Sequence, residues 1–133
     1  MRRKTATNMK LIRYFCIDVI LSIMERKLIY SIEYLEFEQS SNERTREKLR
    51  YASAILETMP VISTQFVKKL VNTDFYELRI KVDNEVRIVL FSLDNTNINQ
   101  ANTIIFLNGF VKKSTKDYQK EIEKATRILR RLL

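Results

Sequence analysis

The sequence predicts an α+β domain in which an antiparallel sheet packs against helices. Three observations carry this reading. The elements follow in the order strand, helix, three strands, helix, without the strand–helix alternation of a parallel sheet. Two adjacent runs near the middle alternate apolar and polar residues with period two, the mark of half-buried strands. The composition, 45% apolar and 30% charged over 133 residues, is that of a chain able to bury a small core as one domain rather than remain disordered.

Residues 1–23 read as an N-terminal extension. They are basic, with five cations against one anion. Residues 11–23 (LIRYFCIDVILSI) are mostly apolar, a pattern shared with signal peptides. Arg13 and Asp18 interrupt the stretch, no small-residue cleavage site follows, and it is shorter than the roughly 20 apolar residues a membrane span requires. The alternatives are an extra packed helix or a targeting or membrane segment. Met24 is a sensible start for the domain, which is expected over residues 24–133.

Residues 27–35 (KLIYSIEYL) are rich in aromatic and branched side chains and read as the first strand. Ser40 followed by Glu43 fits a capping box. It opens a helix over about 43–58, with Leu49, Ala52, Ile55, Leu56 and Met59 along one face. Pro60 ends it, because the residue before proline avoids helical backbone. Residues 61–74 form a connector containing Lys68 and Lys69.

The hairpin follows. Tyr76, Leu78, Ile80 and Val82 alternate with Glu77, Arg79 and Lys81, and Val86, Ile88 and Leu90 alternate with Arg87. A two-residue turn would set Ile80 against Arg87 and spoil the apolar face. A three-residue loop over 83–85 pairs Val82 with Val86, Ile80 with Ile88, and Leu78 with Leu90. It gathers Arg79, Lys81 and Arg87 on the other face, and places Asn84 or Glu85 in the left-handed region. After an Asn-rich loop, residues 103–111 (TIIFLNGFV) read as the last strand. Gly109, the one glycine in the chain, marks a bulge or a close backbone approach there. Ser114 or Thr115 then caps a helix over about 116–132, whose stripe is Tyr118, Ile122, Ala125, Leu129 and Leu132.

Composition removes several chemistries. One cysteine, Cys16, excludes a disulfide framework, and the absence of histidine excludes His triads and His-ligated zinc. Neither a metal nor a cofactor is expected. The formal net charge of +8 favours an acidic partner. Residues 60–133 carry +5 of it, residues 1–23 carry +4 and residues 24–59 carry −1.

The runs Tyr76-Glu77-Leu78-Arg79, Val86-Arg87-Ile88 and Leu107 to Thr115 (LNGFVKKST), in this order and spacing, resemble the C-terminal half of RelE/HigB-like toxins of type II toxin–antitoxin systems. The phage-related branch is the most similar. The resemblance spans roughly residues 25–132 and implies a RelE-like, microbial RNase-like fold. It also implies a metal-independent endoribonuclease that cuts mRNA on the ribosome, in the cytoplasm and without stable membrane association. A cognate antitoxin, often a helix-turn-helix protein, would neutralise it. Residue by residue, it implies catalytic roles for Arg79, Arg87, Lys112 and Tyr118. The glycine that often precedes the YELR run is replaced here, and the histidines of some HigB toxins have no counterpart.

The residues themselves fit such chemistry. Attack by a ribose 2′-hydroxyl builds negative charge on phosphorus, and preorganised cations stabilise it. Arginine's planar, permanently charged fork suits phosphate, so Arg79 and Arg87 are expected as a clamp. Lys112, Lys113 and Lys116 surround the last helix's start, where free amides already attract anions. Lys68 and Lys69 extend a groove toward neighbouring phosphates. Tyr118 either stacks on a base, joins proton transfer or belongs to the core. Two other functions share the basic character: a ParE-like gyrase inhibitor and a non-catalytic nucleic-acid-binding module.

Overall fold

The computed structural model describes residues 25–133, so the expected extension over residues 1–23 lies outside the described residues. Strand β1 (Lys27–Tyr30) is followed by helices α1 (Ile32–Ser40) and α2 (Glu43–Thr58). Strands β2 (Val67–Lys69), β3 (Phe75–Lys81), β4 (Glu85–Ser92) and β5 (Thr103–Val111) come next, and helix α3 (Lys116–Leu132) closes the chain. The sheet runs β1-β5-β4-β3-β2. Its pairs are antiparallel except for β1, which lies parallel to β5. The α+β expectation holds, with that one parallel pair added. Among the described residues no helix is long and apolar enough to cross a membrane.

The first strand is shorter than its composition suggests. Ser31 breaks it and caps α1 instead. Its Oγ accepts from Tyr34 N at 3.0 Å, and its hydroxyl donates to the Leu107 carbonyl. Tyr34 then turns inward, 1% exposed, with its ring edge-on to Phe106 at 5.0 Å. Strand propensity is largely a preference for a packed, half-buried surface, so a capping serine with a buried aromatic partner overrides it.

Helix α2 has the expected bounds, but its cap is Asn42 rather than Ser40. The Asn42 Oδ1 accepts from Thr45 N at 2.9 Å. Leu49, Ala52 and Leu56 are buried, whereas Met59 is exposed. The last-turn carbonyls of a helix lack partners of their own. Arg26, 6% exposed, supplies them. It donates to Leu56 O at 2.9 Å and Met59 O at 2.5 Å, and also to Pro60 O and Asn99 O at 2.9 Å each.

The hairpin loop has three residues, but they are Val82, Asp83 and Asn84. Lys81 pairs with Glu85, Ile80 with Val86, Arg79 with Arg87 and Leu78 with Ile88. The expected register is thus displaced by two residues, which keeps every side chain on its expected face. Helix α2 holds the turn in place: Arg44 reaches Asp83 at 3.2 Å, and Lys48 donates to Lys81 O at 2.8 Å. Neither Asn84 nor Glu85 is left-handed; among the described non-glycine residues only Asn72 has a positive φ, 61°.

Of the two readings of Gly109, the close approach holds and the bulge does not: Gly109 pairs in register with Ile88, and the bulge falls at Leu107. The β4–β5 register shifts between Val89 and Leu90, where Leu107 has no partner. A Cβ on Gly109 would lie 2.3 Å from Phe37 Cδ1, so α1 approaches β5 at a distance only glycine allows.

The sheet separates two cores. Leu78, Ile80, Val86, Ile88, Leu90 and Phe106 face α1 and α2. Phe75, Val89, Ile105, Leu107 and Phe110 face α3 through Ala125 and Ile128. Helix α3 covers only part of its face, and polar side chains occupy the remainder.

Candidate nucleic-acid interface

Strand parity builds the polar end of the α3 face. Glu77 and Arg79 are two apart on β3 and share that face, and Arg79 lies directly opposite Arg87 on β4. Lys68 on the edge strand β2 lies opposite Glu77. Lys112 leaves the end of β5, where its backbone N–H donates to Glu85 O at 2.8 Å. Tyr118 comes from the first turn of α3. Lys68, Lys69, Glu77, Arg79, Lys112 and Tyr118 border one open hollow of about 230 Å³.

The expected arginine clamp is asymmetric. Arg79 is half-exposed, and its Nε donates to Glu77 Oε1 at 2.7 Å. Arg87 is buried, 7% exposed, and its guanidinium is already engaged. Its Nε donates to Tyr118 Oη at 3.3 Å, Nη1 donates to Val86 O at 3.1 Å, and Nη2 lies 3.5 Å from Glu85 Oε2. Arg79 therefore fronts the hollow, and Arg87 stands behind Tyr118.

Tyr118 is half core and half site. Its ring meets Phe110 edge-on at 5.5 Å, and Lys112 Nζ lies 5.5 Å from the ring centre. Burial, and then the nearby Glu77 carboxylate, push its phenol above the ordinary value, against the opposing pull of Arg87. The group is therefore a phenol at neutral pH. It can donate a hydrogen bond or a proton but is a poor base.

The remaining expected cations are spread more widely. Lys69 lies over the Tyr76 ring at 5.3 Å, with its ammonium on the Thr73 carbonyl. Lys113 and Lys116 are exposed and do not border the hollow. The amides leading into α3 are occupied from within. Asp117 Oδ2 accepts from Lys113 N and Ser114 N at 3.0 Å each, which holds its carboxyl below the usual range. Thr115 precedes the helix without a side-chain cap. The chain's own carboxylate thus takes the two amides just before the helix, and Asp117 N and Tyr118 N of its first turn donate to Ser114 O and Thr115 O at 3.3 Å each.

The reading of the residues missed Glu77. Its side chain is 2% exposed, with Oε1 on Arg79 and Oε2 buried without a hydrogen-bond partner among the described residues. The signal was present, since a carboxylate two positions before an arginine on a strand must share its face. Among the described residues, no group of three or more His, Cys, Asp or Glu side chains comes close enough to hold a metal ion.

A family model described as "Phage derived protein Gp49-like (DUF891)" matches residues 26–130. Among solved structures, a mutant of the E. coli toxin RelE in the free state aligns with a TM-score of 0.56 and 15% identity, over 75% of this chain and 97% of that one. The intact E. coli RelBE toxin–antitoxin complex contains a chain that aligns at 0.50 and 18% identity, over 67% of this chain and 99% of that one. The isolated E. coli RelE toxin aligns at 0.50 and 17% identity, over 74% and 97%. No curated protein matches the sequence. At these identities the likeness is one of fold, and the fold is RelE-like.

Proposed function

The chain belongs to the Gp49-like family of phage-derived proteins, and from that premise we propose that it is the toxin of a toxin–antitoxin pair. In this reading residues 24–133 form an endoribonuclease that cuts mRNA on the ribosome in the cytoplasm and is neutralised by a cognate antitoxin. The observation that carries the reading is the single hollow in which Lys68, Arg79, Lys112 and Tyr118 converge. With Lys69, four cations and a phenol, set against the one carboxylate of Glu77, border a space of a size that suits one phosphodiester.

The geometry supports the following roles. The free edge of Arg79, with Lys112, receives the phosphate oxygens as charge builds on phosphorus. The 2′-hydroxyl gives its proton to solvent water as its oxygen bonds to phosphorus, the P–O5′ bond breaks and the 5′-oxygen leaves. Tyr118, kept protonated and receiving a hydrogen bond from Arg87, is placed to give its proton to that leaving oxygen, and it regains its proton from water after each cut. No resident group of the hollow is an evident strong base, and positioning of the message on the ribosome supplies much of the rate. Lys68 and Lys69 hold the strand as it leaves the hollow. A second depression of about 570 Å³ at the edge of the sheet, bordered by Lys68, Lys69 and Tyr76, gives the next nucleotide room. Lys113 and Lys116 add to the attractive field around the start of α3.

Induced expression in bacteria, followed by primer extension on a translated reporter, tests the reading. The expected result is growth arrest with new 5′ ends inside the message. Arg79→Lys, which keeps the charge but loses the fork, should relieve both. Growth arrest with DNA-damage signalling and intact messages would instead indicate gyrase inhibition. Tolerance of the protein without an antitoxin would indicate a binding module.

A further inference from the structure

A hollow built to receive phosphate has a carboxylate beneath it. Glu77 is buried, with Oε1 on the Arg79 Nε at 2.7 Å and Oε2 without a partner among the described residues. Burying an ion costs free energy, and an anion here repels the expected substrate. A neutral residue would bind RNA more tightly, so affinity does not account for Glu77.

Geometry does. The β3–β4 register forces Arg79 and Arg87 directly opposite each other, an arrangement that is destabilising for like charges. Arg87 is held by Tyr118, Val86 and Glu85. The Arg79 guanidinium has a hydrogen bond only to Glu77 among the described residues. Because that bond uses Nε, both Nη groups remain free, and they are the half of the fork that binds phosphate. An arginine already fixed in this way loses little side-chain freedom when the substrate arrives, and its dipole needs no reorganisation as charge develops.

We propose that Glu77 is the positioning residue of the hollow: its buried carboxylate locks Arg79 through Nε and presents the guanidinium's Nη edge to the phosphate that is cut. The catalytic consequence rests on the function proposed above; the locking does not. The proposal requires a separation of effects. Glu77→Gln removes the charge that strengthens the lock and also the charge that repels RNA. Cleavage should fall while affinity for an uncleavable strand holds or rises.

The test uses the full chain with 15N-labelled arginine, a 2′-deoxy oligonucleotide, and ribosomes programmed with a short message. In the unmodified protein the Arg79 Nε–H should exchange with solvent at least tenfold more slowly than that of exposed Arg127. In Glu77→Gln this protection should disappear, single-turnover cleavage should fall roughly ten- to a hundredfold, and the oligonucleotide should bind equally well or up to several-fold more tightly. If Glu77→Gln fails to fold, Glu77→Asp carries the test. It retains the charge but withdraws it by one methylene, and should lose protection and cleavage at unchanged affinity. An Arg79 Nε–H as labile as that of Arg127, or a folded Glu77 variant that cleaves at the original rate, overturns the proposal. A protected Arg79 that becomes labile in these variants, in a protein that cuts no message, upholds the lock and overturns the nuclease reading.

Discussion

The two faces of the sheet solve different problems. The face under α1 and α2 is apolar from β2 to β5, with Leu78, Ile88, Leu90, Ile104 and Phe106 at or near 0% exposure. It is closed by two helices and tightened by a glycine where α1 presses on β5. The face under α3 is apolar only where the helix lies. Beyond it the same strands carry Glu77, Arg79 and Arg87, a group of charges that does not stabilise the fold through burial of apolar surface. One face holds the molecule together, and the other uses that rigidity to keep charged groups in fixed positions.

Substitutions should separate the faces by stability. The largest loss is expected from Phe106→Ala, which removes a fully buried ring packed against Tyr30 and Tyr34. About 3–5 kcal/mol should disappear in urea unfolding. Gly109→Ala comes next, since Phe37 must be displaced to admit the new methyl. A cost of about 1–3 kcal/mol is expected from such overpacking. On the other face Lys112→Ala should cost at most about 1 kcal/mol, the scale of its contact with the Tyr118 ring. Message cleavage by that variant should nevertheless fall by an order of magnitude or more, roughly the effect of removing one transition-state cation. Equal stability losses on the two faces would erase the distinction.

The closed face was the more legible of the two in the sequence. The stripe Leu49, Ala52 and Leu56, the alternation from Leu78 to Leu90 and the lone Gly109 each follow from periodicity or backbone sterics, which one sequence displays directly. Helix α1 was not legible, because the residues that begin it are fixed from far along the chain: Ser31, the local cap of Tyr34 N, by its bond to Leu107, and Tyr34 by Phe106, contacts across 70 or more residues. The open face was legible in composition but not in arrangement. Alternation placed Arg79 and Arg87 on one side of the hairpin. Whether each meets solvent depends on α3, whose Tyr118 buries Arg87 and leaves Arg79 half-exposed. Glu77 was legible in position. Its importance was not, because burial of a carboxylate is a property of the packed molecule.

The smallest expected effect tests the link between the two helical layers. Glu33 on α1 and Arg131 on α3 meet around the β1 edge in a two-pronged ion pair at 2.5 and 2.8 Å. The hydrogen bond from Arg131 holds the Glu33 carboxyl down at about 2, from an ordinary value of 4.5. A carboxyl with a lower value folded than unfolded binds fewer protons in the native state. Its contribution is therefore complete above the unfolded value and is lost as pH falls from 4.5 toward 2. Both side chains are partly solvated, so the contribution is small and salt-sensitive. Urea midpoints measured from pH 6 to pH 3 should fall slightly less steeply in Glu33→Gln than in the unmodified protein, with the two curves converging at the acid end. Message cleavage at neutral pH should be unchanged, because Glu33 lies at the opposite edge of the sheet from the hollow. A cleavage defect in Glu33→Gln would mean that the seating of α3 depends on this pair, and that Tyr118 is positioned from both faces of the sheet rather than from one.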